Sequence, residues 1–378
     1  MRSFFIALVV AFLLSFSNVA SAQVQLATSA KHAILMDVQT GQILMEKEAT
    51  ARMPTSSMSK VMTMYAVFSA LKDGRLELSQ KLKVSEKAWR KKGSKMFVEV
   101  GKSVEVEDLI KGVIVQSGND ATIVLAEGLT GSEDVFAQTI TQMAHNIGMK
   151  DSQFKNASGW PNPDHYSTAQ DLAILAYRLM ADFPEYYHYY SQKEFTYGGI
   201  RQPNRNPLLF RNMGVDGIKT GHTEVGGYGL MASAERNGQR LILVVNGLDS
   251  EKARADESAR LIEWGFNNFE NMTLFKAGDV VEHANVVLGQ QETVPLEIQD
   301  TVLASIYKQK KDGLSVRVEY DGPLTAPVEK GTKVGLVRIK APEMPEQTYD
   351  LYTKSSVAEL GLVPKVIAKT KFLLFGGF

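Results

Sequence analysis

Hydrophobic residues follow strand-like and helix-like patterns in turn between about residues 30 and 270. Apolar runs at 33–37 and 43–46 flank Gln39-Thr40-Gly41, which predicts an opening β-hairpin. A second pair of runs, at 230–234 and 241–245, flanks Asn237-Gly238, the residue pair that a tight primed turn prefers. Two antiparallel strand pairs are therefore expected in this part of the chain.

Helical spacing of apolar residues accounts for most of the rest of this region. It predicts helices over 57–71 and near 106–116, 120–128, 132–147, 168–181 and 250–268. The first of these is apolar on most sides, so we expect it to be buried. Helices before and between strand pairs predict an α+β domain with helices packed on an antiparallel sheet.

The pattern changes after about residue 272. Leu314, Val316, Val318 and Tyr320 alternate with polar residues, which is typical of a half-buried strand. Short strand patterns continue at 334–339 and 349–352, with Gly and Pro between them. We interpret 273–358 as a small all-β domain, and it contains no promising catalytic group.

The N-terminus has the features of a secretory signal peptide over residues 1–22. Arg2 precedes an uninterrupted apolar run from Phe4 to Leu14, and Ala20-Ser21-Ala22 fits the small-residue cleavage pattern. The alternative is an N-terminal membrane anchor, but the run is short for a span of ~20 residues. We therefore expect an exported protein whose first domain spans 23–272.

The C-terminal stretch, 359–378, is predicted to form an amphipathic helix. One helical face gathers the apolar residues Val363, Val366, Ile367, Leu373 and Leu374, and Lys365 and Lys369 lie opposite. A basic amphipathic helix at a chain end is typical of an interfacial membrane anchor. The alternatives are a helix docked on the β domain and a frayed tail.

Composition excludes several classes of function. The chain has 378 residues, and 42 Lys and Arg balance 42 Asp and Glu, so no basic excess supports nucleic-acid binding. It has no cysteine, and its six histidines show no paired ligand spacing. Neither GxxxxGK nor GxGxxG is present. We therefore expect no metal, no cofactor and no nucleic-acid partner.

Ser57-Met58-Ser59-Lys60 is the first motif that could carry chemistry. On a helix, Ser57 and Lys60 share a face, and a neutral lysine one turn from a serine can act as its base. Pro54 and Thr55 mark a helix start, where the partial positive charge favours an alkoxide. The spacing alone is weak evidence, since it also occurs at Ser69, Ser152 and Ser305.

Two further motifs follow, and each occurs once. Ser117-Gly118-Asn119 falls between two predicted helices, where a loop could aim both side chains into a cleft. Lys219-Thr220-Gly221 is predicted to begin an edge strand, where Lys219 could hold a substrate carboxylate. Gly221 would let a substrate backbone approach closely. Taken singly, each is more often an ordinary turn or strand start.

In this order, SxxK, SxN and KTG form the signature of serine acyl-transferases that bind penicillin. More of the chain resembles the low-molecular-mass D-alanyl-D-alanine carboxypeptidases. The similar segments are Met36-Asp37 with Thr40-Gly41, 54–60, 93–97, 156–159, 165–168 and 215–223, and Ala326-Pro327-Val328 with Lys330-Gly331 in the β region. The resemblance covers nearly the whole chain after residue 22.

The resemblance implies a penicillin-binding, β-lactamase-like serine transpeptidase domain, a C-terminal β-sandwich stalk and attachment at the periplasmic face of the cytoplasmic membrane. The implied partners are peptidoglycan stem peptides, with β-lactams as covalent inhibitors. The implied catalytic residues are Ser57 as nucleophile, Lys60 as base, Ser117 and Asn119. The implied substrate-binding residues are Lys219, Thr220, Gly221, His222, Thr223 and Arg254.

Two rival functions share the fold, and a third belongs to another class of function. A class A β-lactamase would need a glutamate that activates the deacylating water, and no ExxLN lies between Asn119 and Lys219. A cross-link-cleaving endopeptidase stays open, because the motifs do not specify the leaving group. A catalytically silent penicillin-binding scaffold is disfavoured by the intact motif residues.

Two features depart from the family pattern. The run Asn204-Arg205-Asn206 stands slightly closer to Lys219 than expected, which leaves the role of Arg205 open. The basic cluster Arg90, Lys91, Lys92 and Lys95 is denser than expected, and we interpret it as a solvated face rather than an anion-binding surface.

Overall fold

The computed structural model describes residues 26–375, so the predicted signal peptide lies outside the described residues. The helices are α1 (Lys60–Lys72), α2 (Glu86–Arg90), α3 (Val106–Ile114), α4 (Asn119–Thr130), α5 (Glu133–Asn146), α6 (Ala169–Asp182), α7 (Pro184–Tyr187), α8 (Glu251–Asn268) and α9 (Leu362–Phe375). The first ten strands are β1 (His32–Asp37), β2 (Ile43–Lys47), β3 (Lys81–Lys83), β4 (Ser103–Glu105), β5 (Glu194–Tyr197), β6 (Ile200–Pro203), β7 (Val215–Thr223), β8 (Gly227–Arg236), β9 (Gln239–Leu248) and β10 (Phe269–Phe275). The remaining strands are β11 (Val280–Val287), β12 (Thr293–Glu297), β13 (Val302–Tyr307), β14 (Ser315–Tyr320), β15 (Leu324–Thr325), β16 (Lys333–Lys340) and β17 (Gln347–Thr353).

A five-stranded antiparallel sheet in the order β2-β1-β9-β8-β7 organises the first domain. Both predicted hairpins are confirmed, as β1–β2 and β8–β9. Asn237 and Gly238 have φ values of 50° and 79°, the left-handed conformation that a primed two-residue turn requires. Strand β7 lies at the edge of the sheet, so its outer side is open for pairing with another extended chain.

Both faces of this sheet are covered by helices. Along β1, Ile34 packs in a core shared with α1, α3, α4 and α6, whereas Leu35 packs in a second core with α8. Successive residues of a strand point to opposite faces, which explains this alternation. The predicted α+β domain with helices on an antiparallel sheet is confirmed.

Two segments differ in detail from the sequence prediction. The helix predicted over 57–71 begins as a 3-10 turn, Ser56–Ser59, and continues as α1, which is buried on most sides as expected. Lys219-Thr220-Gly221 was expected at a strand start, but β7 already begins at Val215. The motif therefore lies in the second half of the edge strand.

The second domain is built from strands and one 3-10 segment, Lys308–Gly313. Strands β10 and β13 form one sheet, and a second sheet has the order β14-β16-β17-β12-β11-β15. The core of this domain contains Leu296, Ile306, Val337 and Leu351. The β-rich second domain is confirmed, and the boundary predicted at 272/273 falls inside β10.

A buried polar cluster joins the two domains. The fully buried carboxylate of Asp37 accepts hydrogen bonds from the side chain of Asn271 at 2.9 and 3.0 Å. Thr40 and Ser305 contribute a hydroxyl pair at 2.8 Å. These contacts fix the β1–β2 hairpin against the β domain. The hairpin lies at the opposite edge of the sheet from β7.

The C-terminal helix α9 presents an apolar surface to solvent. Leu362, Val363, Val366 and Ile367 are 85%, 71%, 62% and 54% exposed. Over residues 26–375, none of the helices has the length and apolar character needed to cross a bilayer.

Candidate active site

The three motifs converge on one cavity of about 360 Å³ between the 3-10 turn, the α3–α4 connection and β7. Its lining residues are Ser57, Ser94, Ser117, Arg205, Thr220, Gly221, His222, Glu251 and Arg254. The predicted residues Lys60, Asn119 and Lys219 lie on the same elements, close in sequence to lining residues, and Thr223 lines an adjoining cavity. Residues 57, 117 and 220 are far apart in sequence and meet only through the fold.

Ser57 and Lys60 form a direct pair at the base of the cavity. Lys60 Nζ donates to Ser57 Oγ at 2.8 Å and to the carbonyl oxygen of Ser158 at 2.7 Å. Lys60 is fully buried, and burial is the main cause that holds its pKa well below the ordinary lysine value. The nearby cations Lys219, Arg205 and Lys91 lower it further, in that order. A lysine in this state can accept the Ser57 proton.

The Ser158 carbonyl reaches Lys60 because its neighbour is glycine. Gly159 has φ +77°, and a Cβ there would lie 1.7 Å from the carbonyl oxygen of Ser56. The segment is also held by Asn156, whose side-chain oxygen accepts the backbone N–H groups of Ser158 and Trp160 at 3.1 and 2.9 Å. A short loop thus fixes the second hydrogen-bond acceptor of Lys60.

A buried histidine, His165, supports the 3-10 turn that carries Ser57. The backbone N–H of Lys155 donates to Nδ1 of His165 at 3.2 Å, so Nε2 carries the proton and donates to Ser59 Oγ at 2.8 Å. Ser59 Oγ lies 2.6 Å from Thr55 Oγ1. Burial and the nearby Lys60 lower the pKa of His165 to about 4, which keeps the ring neutral.

The α3–α4 connection places the second motif. Ser117 is 2% exposed and has φ +59°, an uncommon conformation for a residue other than glycine, which turns the chain tightly before α4. Asn119 begins α4, and its Nδ2 donates to the carbonyl oxygen of Lys92 at 2.9 Å. The expected loop between two helices is confirmed.

Asp120, which the sequence analysis did not single out, holds the cleft wall together. Its buried carboxylate accepts the backbone N–H groups of Met96 and Phe97 at 2.8 Å each, and of Val98 at 3.2 Å. Three donors converge on one carboxylate because Phe97 adopts φ +70°. The loop that includes Ser94, on the cavity surface, is thereby tied to α4.

Replacing Asp120 with asparagine is expected to destabilise the protein by about 2–3 kcal/mol, because charge-assisted hydrogen bonds to buried donors are lost. Urea denaturation measures this change. The matched control is Asp73→Asn, since Asp73 pairs with Arg75 in an ion pair that is more than half exposed, worth about 0–1 kcal/mol. Equal effects of the two variants would contradict the assignment.

Strand β7 supplies a buried cation. Lys219 is 3% exposed, and its Nζ donates to the carbonyl oxygen of Thr220 at 3.1 Å. Burial, with Arg205 and Arg254 adding repulsion, lowers the pKa of Lys219 to about 7. An anionic ligand beside it would raise that pKa again, so the site favours a carboxylate.

Lys219-Thr220-Gly221 can lie against the 3-10 turn that carries Ser57 because residue 221 is a glycine. A Cβ at this position would approach the carbonyl oxygen of Thr55 to 2.9 Å and the side chain of Met58 to 3.1 Å. Two residues farther along β7, Thr223 Oγ1 lies 2.9 Å from Ser56 Oγ. The edge strand and the turn that holds Ser57 are thus clamped together.

Two arginines complete the positive end of the cavity. Arg254 on α8 is 6% exposed, lies over the ring of Tyr228, and its Nε has no hydrogen-bond partner among the described residues. Burial lowers its pKa, and Glu251 opposes this effect. Arg205 donates to Ser94 Oγ at 2.7 Å, which places it on the cavity wall. The sequence analysis left the role of Arg205 open.

His222 and the basic cluster lie at the surface. The His222 ring is exposed and stacks on Tyr228 with centroids 3.8 Å apart. In the cluster, Arg90 pairs with Glu86, whereas Lys91 lies 4.5 Å from the centroid of the Trp160 ring. Lys91 is also near enough to Lys60 to lower the pKa of that residue.

A serine bonded to a lysine of lowered pKa, beside a buried cationic end, is suited to acyl transfer from a substrate that carries a carboxylate. The lysine accepts the serine proton, the cations hold the carboxylate, and the open edge of β7 can pair with an extended peptide. Arg254 was predicted as a ligand of that carboxylate, and it lines the cavity.

Comparison with known families gives two matches that together span most of the chain. Residues 18–250 match the D-alanyl-D-alanine carboxypeptidase family. Residues 269–359 match the C-terminal domain of penicillin-binding protein 5.

Similar individual proteins extend across both domains. D-alanyl-D-alanine carboxypeptidase DacA of Haemophilus influenzae is 38% identical over 88% of this chain and 86% of its own length. DacC of Escherichia coli is 37% identical over 88% and 85%.

Solved structures show the same likeness. Penicillin binding protein 5 from Haemophilus influenzae superimposes with a TM-score of 0.80 at 37% identity, covering 88% of this chain and 99% of that one. Penicillin-binding protein D2 from Listeria monocytogenes in its ampicillin-bound form gives a TM-score of 0.60 at 30% identity, over 65% and 100%.

Proposed function

The chain belongs to the D-alanyl-D-alanine carboxypeptidase family and is a serine-type D-Ala-D-Ala carboxypeptidase, and on that premise we propose how its own residues perform the reaction. Ser57 Oγ attacks the carbonyl carbon of the penultimate D-alanine while Lys60 accepts its proton. The observation that supports this assignment is the 2.8 Å contact between Lys60 Nζ and Ser57 Oγ at a fully buried lysine. Neither the endopeptidase nor the silent scaffold is favoured by the similar proteins.

The oxyanion of the tetrahedral intermediate is stabilised by the backbone N–H groups of Ser57 and His222. Each such donor contributes about 3–4 kcal/mol in known cases. The close approach of Gly221 to Thr55 supports this role, because it brings the backbone of β7 beside the nucleophile turn. The imidazole of His222 has no required part in the chemistry.

Collapse of the intermediate breaks the C–N bond and leaves an ester on Ser57. The proton accepted by Lys60 passes by way of Ser117 to the leaving amine, and Asn119 orients the peptide. D-alanine departs, and water then hydrolyses the ester. A β-lactam acylates the same oxygen, Ser57 Oγ, by opening its ring, and its amine stays attached to the acyl group.

The terminal carboxylate binds at the cationic end of the cavity. Lys219 and Arg254 supply charge, and the hydroxyl group of Thr220, which lines the cavity, supplies a hydrogen bond. Thr223 was the alternative to Thr220, but its Oγ1 lies 2.9 Å from Ser56 Oγ and it lines the adjoining cavity. The environment of both cations supports this role: burial first, and repulsion by Arg205 second, lower their pKa values, and a bound carboxylate would oppose both effects.

The pH dependence of KM tests the carboxylate site. The pKa of Lys219 is about 7, so Lys219 is a cation below that pH and neutral above it. Because only the cation attracts the carboxylate, KM should rise roughly tenfold between pH 7 and pH 8.5. The control substrate ends in a C-terminal amide and should show no such rise. A pH-independent KM for the carboxylate substrate would refute the assignment.

We also propose that the enzyme is exported and works at the periplasmic face of the cytoplasmic membrane, with α9 lying in the lipid interface. Exposure of four large apolar residues at the start of α9 supports this orientation. The side chains of Lys369, Leu373 and Leu374, which the sequence analysis placed on this helix, and residues 376–378 lie outside the described part of the chain.

Removing residues 362–378 is expected to abolish binding to vesicles that contain anionic phospholipid, measured by co-sedimentation. Catalytic activity in solution should persist, because α9 lies outside both domains. A full-length variant with Val363→Asp and Val366→Asp should also stay in the supernatant. Co-sedimentation of the truncated enzyme would place the membrane contact elsewhere.

A further inference from the structure

A basic segment at the end of α2 adjoins the active-site cavity. Its cationic residues are Arg90, Lys91, Lys92 and Lys95. The backbone carbonyl oxygen of Lys92 accepts a hydrogen bond from Asn119 Nδ2 at 2.9 Å, and Ser94 lines the cavity. The segment is therefore part of the cleft wall, and its side chains lie beside any polymer whose end enters the cleft.

The protein's own carboxylates neutralise only part of this positive charge. Arg90 forms an ion pair with Glu86 at 2.6 Å. Lys95 Nζ donates to the backbone carbonyl oxygen of Trp89 at 2.5 Å, which leaves its charge uncompensated. Among the described residues, neither Lys91 nor Lys92 has an acidic partner, and Lys92 is exposed. Three positive charges are thus free to attract an external anion.

An exposed aromatic ring lies among these cations. Trp89 is 41% exposed, and the guanidinium carbon of Arg90 lies 5.7 Å from the centroid of its ring. Tryptophan and arginine are enriched at binding surfaces. An indole offers a flat apolar face and an N–H donor, which suits the C–H face and the hydroxyl groups of a sugar ring. We call Trp89 and the four cations the basic–aromatic surface.

The place of this surface in the fold separates it from α9. Ala88 of α2 packs in the core on the face of the central sheet to which Ile34 points. The β domain contributes Ala341 and Met344 to the core on the opposite face, with Leu35, and α9 follows that domain. A membrane that holds α9 is therefore on the side of the β domain, which favours a ligand other than lipid for the basic–aromatic surface.

We propose that the basic–aromatic surface binds the wall polymer itself, an amino-sugar chain whose stem peptides carry free carboxylates. This inference rests on the proposed function, because that function brings this polymer to the cleft. The cations pair with carboxylates of neighbouring stem peptides, and Trp89 packs on a sugar ring. These contacts lie outside the cavity, so they favour the polymer over a short free peptide. The proposal replaces the interpretation of the cluster as a solvated face.

The test compares two substrates of the full-length enzyme: insoluble peptidoglycan that retains D-Ala-D-Ala stems, and diacetyl-Lys-D-Ala-D-Ala. Lys92→Glu and Trp89→Ala should each lower the ratio of polymer turnover to peptide turnover by about fivefold. In about 0.5 M NaCl the effect of Lys92→Glu should largely disappear, because salt screens exposed charges, whereas that of Trp89→Ala should persist.

Each variant has a matched control in the same domain. Lys150→Glu reverses the charge of another exposed lysine. Tyr177→Ala removes an aromatic ring that, like that of Trp89, is 41% exposed. Both controls should leave the ratio unchanged. Labelling of Ser57 by benzylpenicillin verifies that every variant is folded.

The outcomes separate this inference from the proposed function. A ratio that Lys92→Glu and Trp89→Ala both leave unchanged overturns the polymer-binding surface, while hydrolysis of the short peptide upholds the proposed function. An unaltered enzyme that hydrolyses neither substrate overturns the proposed function; co-sedimentation of the Ser57→Ala forms with peptidoglycan then decides on the surface alone. Loss of binding to anionic vesicles in Lys92→Glu, with the ratio intact, would assign the surface to lipid and overturn the proposal.

Discussion

Replacing Ser57 with alanine is expected to abolish both peptide hydrolysis and covalent labelling by penicillin. Both reactions need the ester on Ser57 Oγ, and removal of a catalytic nucleophile costs about a million-fold in kcat in a comparable serine hydrolase. The structure has no substitute nearby: among the described cavity-lining serines, Ser57 is the one bonded to Lys60. Intact-protein mass spectrometry after incubation with benzylpenicillin measures the adduct directly.

The matched control uses another serine with the same spacing to a lysine. Ser69 precedes Lys72 on α1 just as Ser57 precedes Lys60, but Lys72 is near the surface and donates to the carbonyl oxygen of Asp182. Ser69→Ala should therefore label and turn over like the unaltered enzyme. An adduct on the Ser57→Ala protein would show that another residue is the nucleophile.

Replacing Lys60 with methionine is expected to have the second large effect, on the rate of acylation by penicillin. Methionine has a similar length and fits a buried site, but it cannot accept a proton, so acylation by penicillin should slow by about 10³-fold or more. Ser57 remains present, which separates the loss of the base from the loss of the nucleophile. Stopped-flow or quenched labelling gives the acylation rate constant.

The pH dependence strengthens this test. Burial and three nearby cations lower the pKa of Lys60, so its neutral fraction, and the acylation rate, should increase with pH through that pKa. In Lys60→Met this increase should disappear. Lys72→Met is the control and should keep both the rate and its pH dependence. An Lys60→Met enzyme that acylates at the normal rate would exclude Lys60 as the base.

The sequence allowed much of this architecture to be predicted because the relevant signals are local. Asn237-Gly238 specifies its own turn conformation, and the apolar circumference of α1 specifies its burial. The three motifs could be recognised because each places its functional groups within four residues. Their order and spacing also match a known family signature, and that resemblance implied the roles of their residues.

The supporting parts of the site could not be predicted in this way. Asp120 acts on backbone N–H groups about 24 residues earlier in the chain. The second acceptor of Lys60 is a backbone carbonyl, at Ser158, and has no side-chain signature. Arg205 reaches Ser94 only because the fold brings their loops together. Such contacts depend on tertiary packing rather than on local pattern.

Release of D-alanine from diacetyl-Lys-D-Ala-D-Ala by the purified enzyme directly measures the carboxypeptidase activity that is assigned to Ser57. Free D-alanine is expected in proportion to the substrate consumed, and none is expected from the Ser57→Ala protein under the same conditions. An enzyme that forms the penicillin adduct on Ser57 yet releases no D-alanine would not be a D-Ala-D-Ala carboxypeptidase.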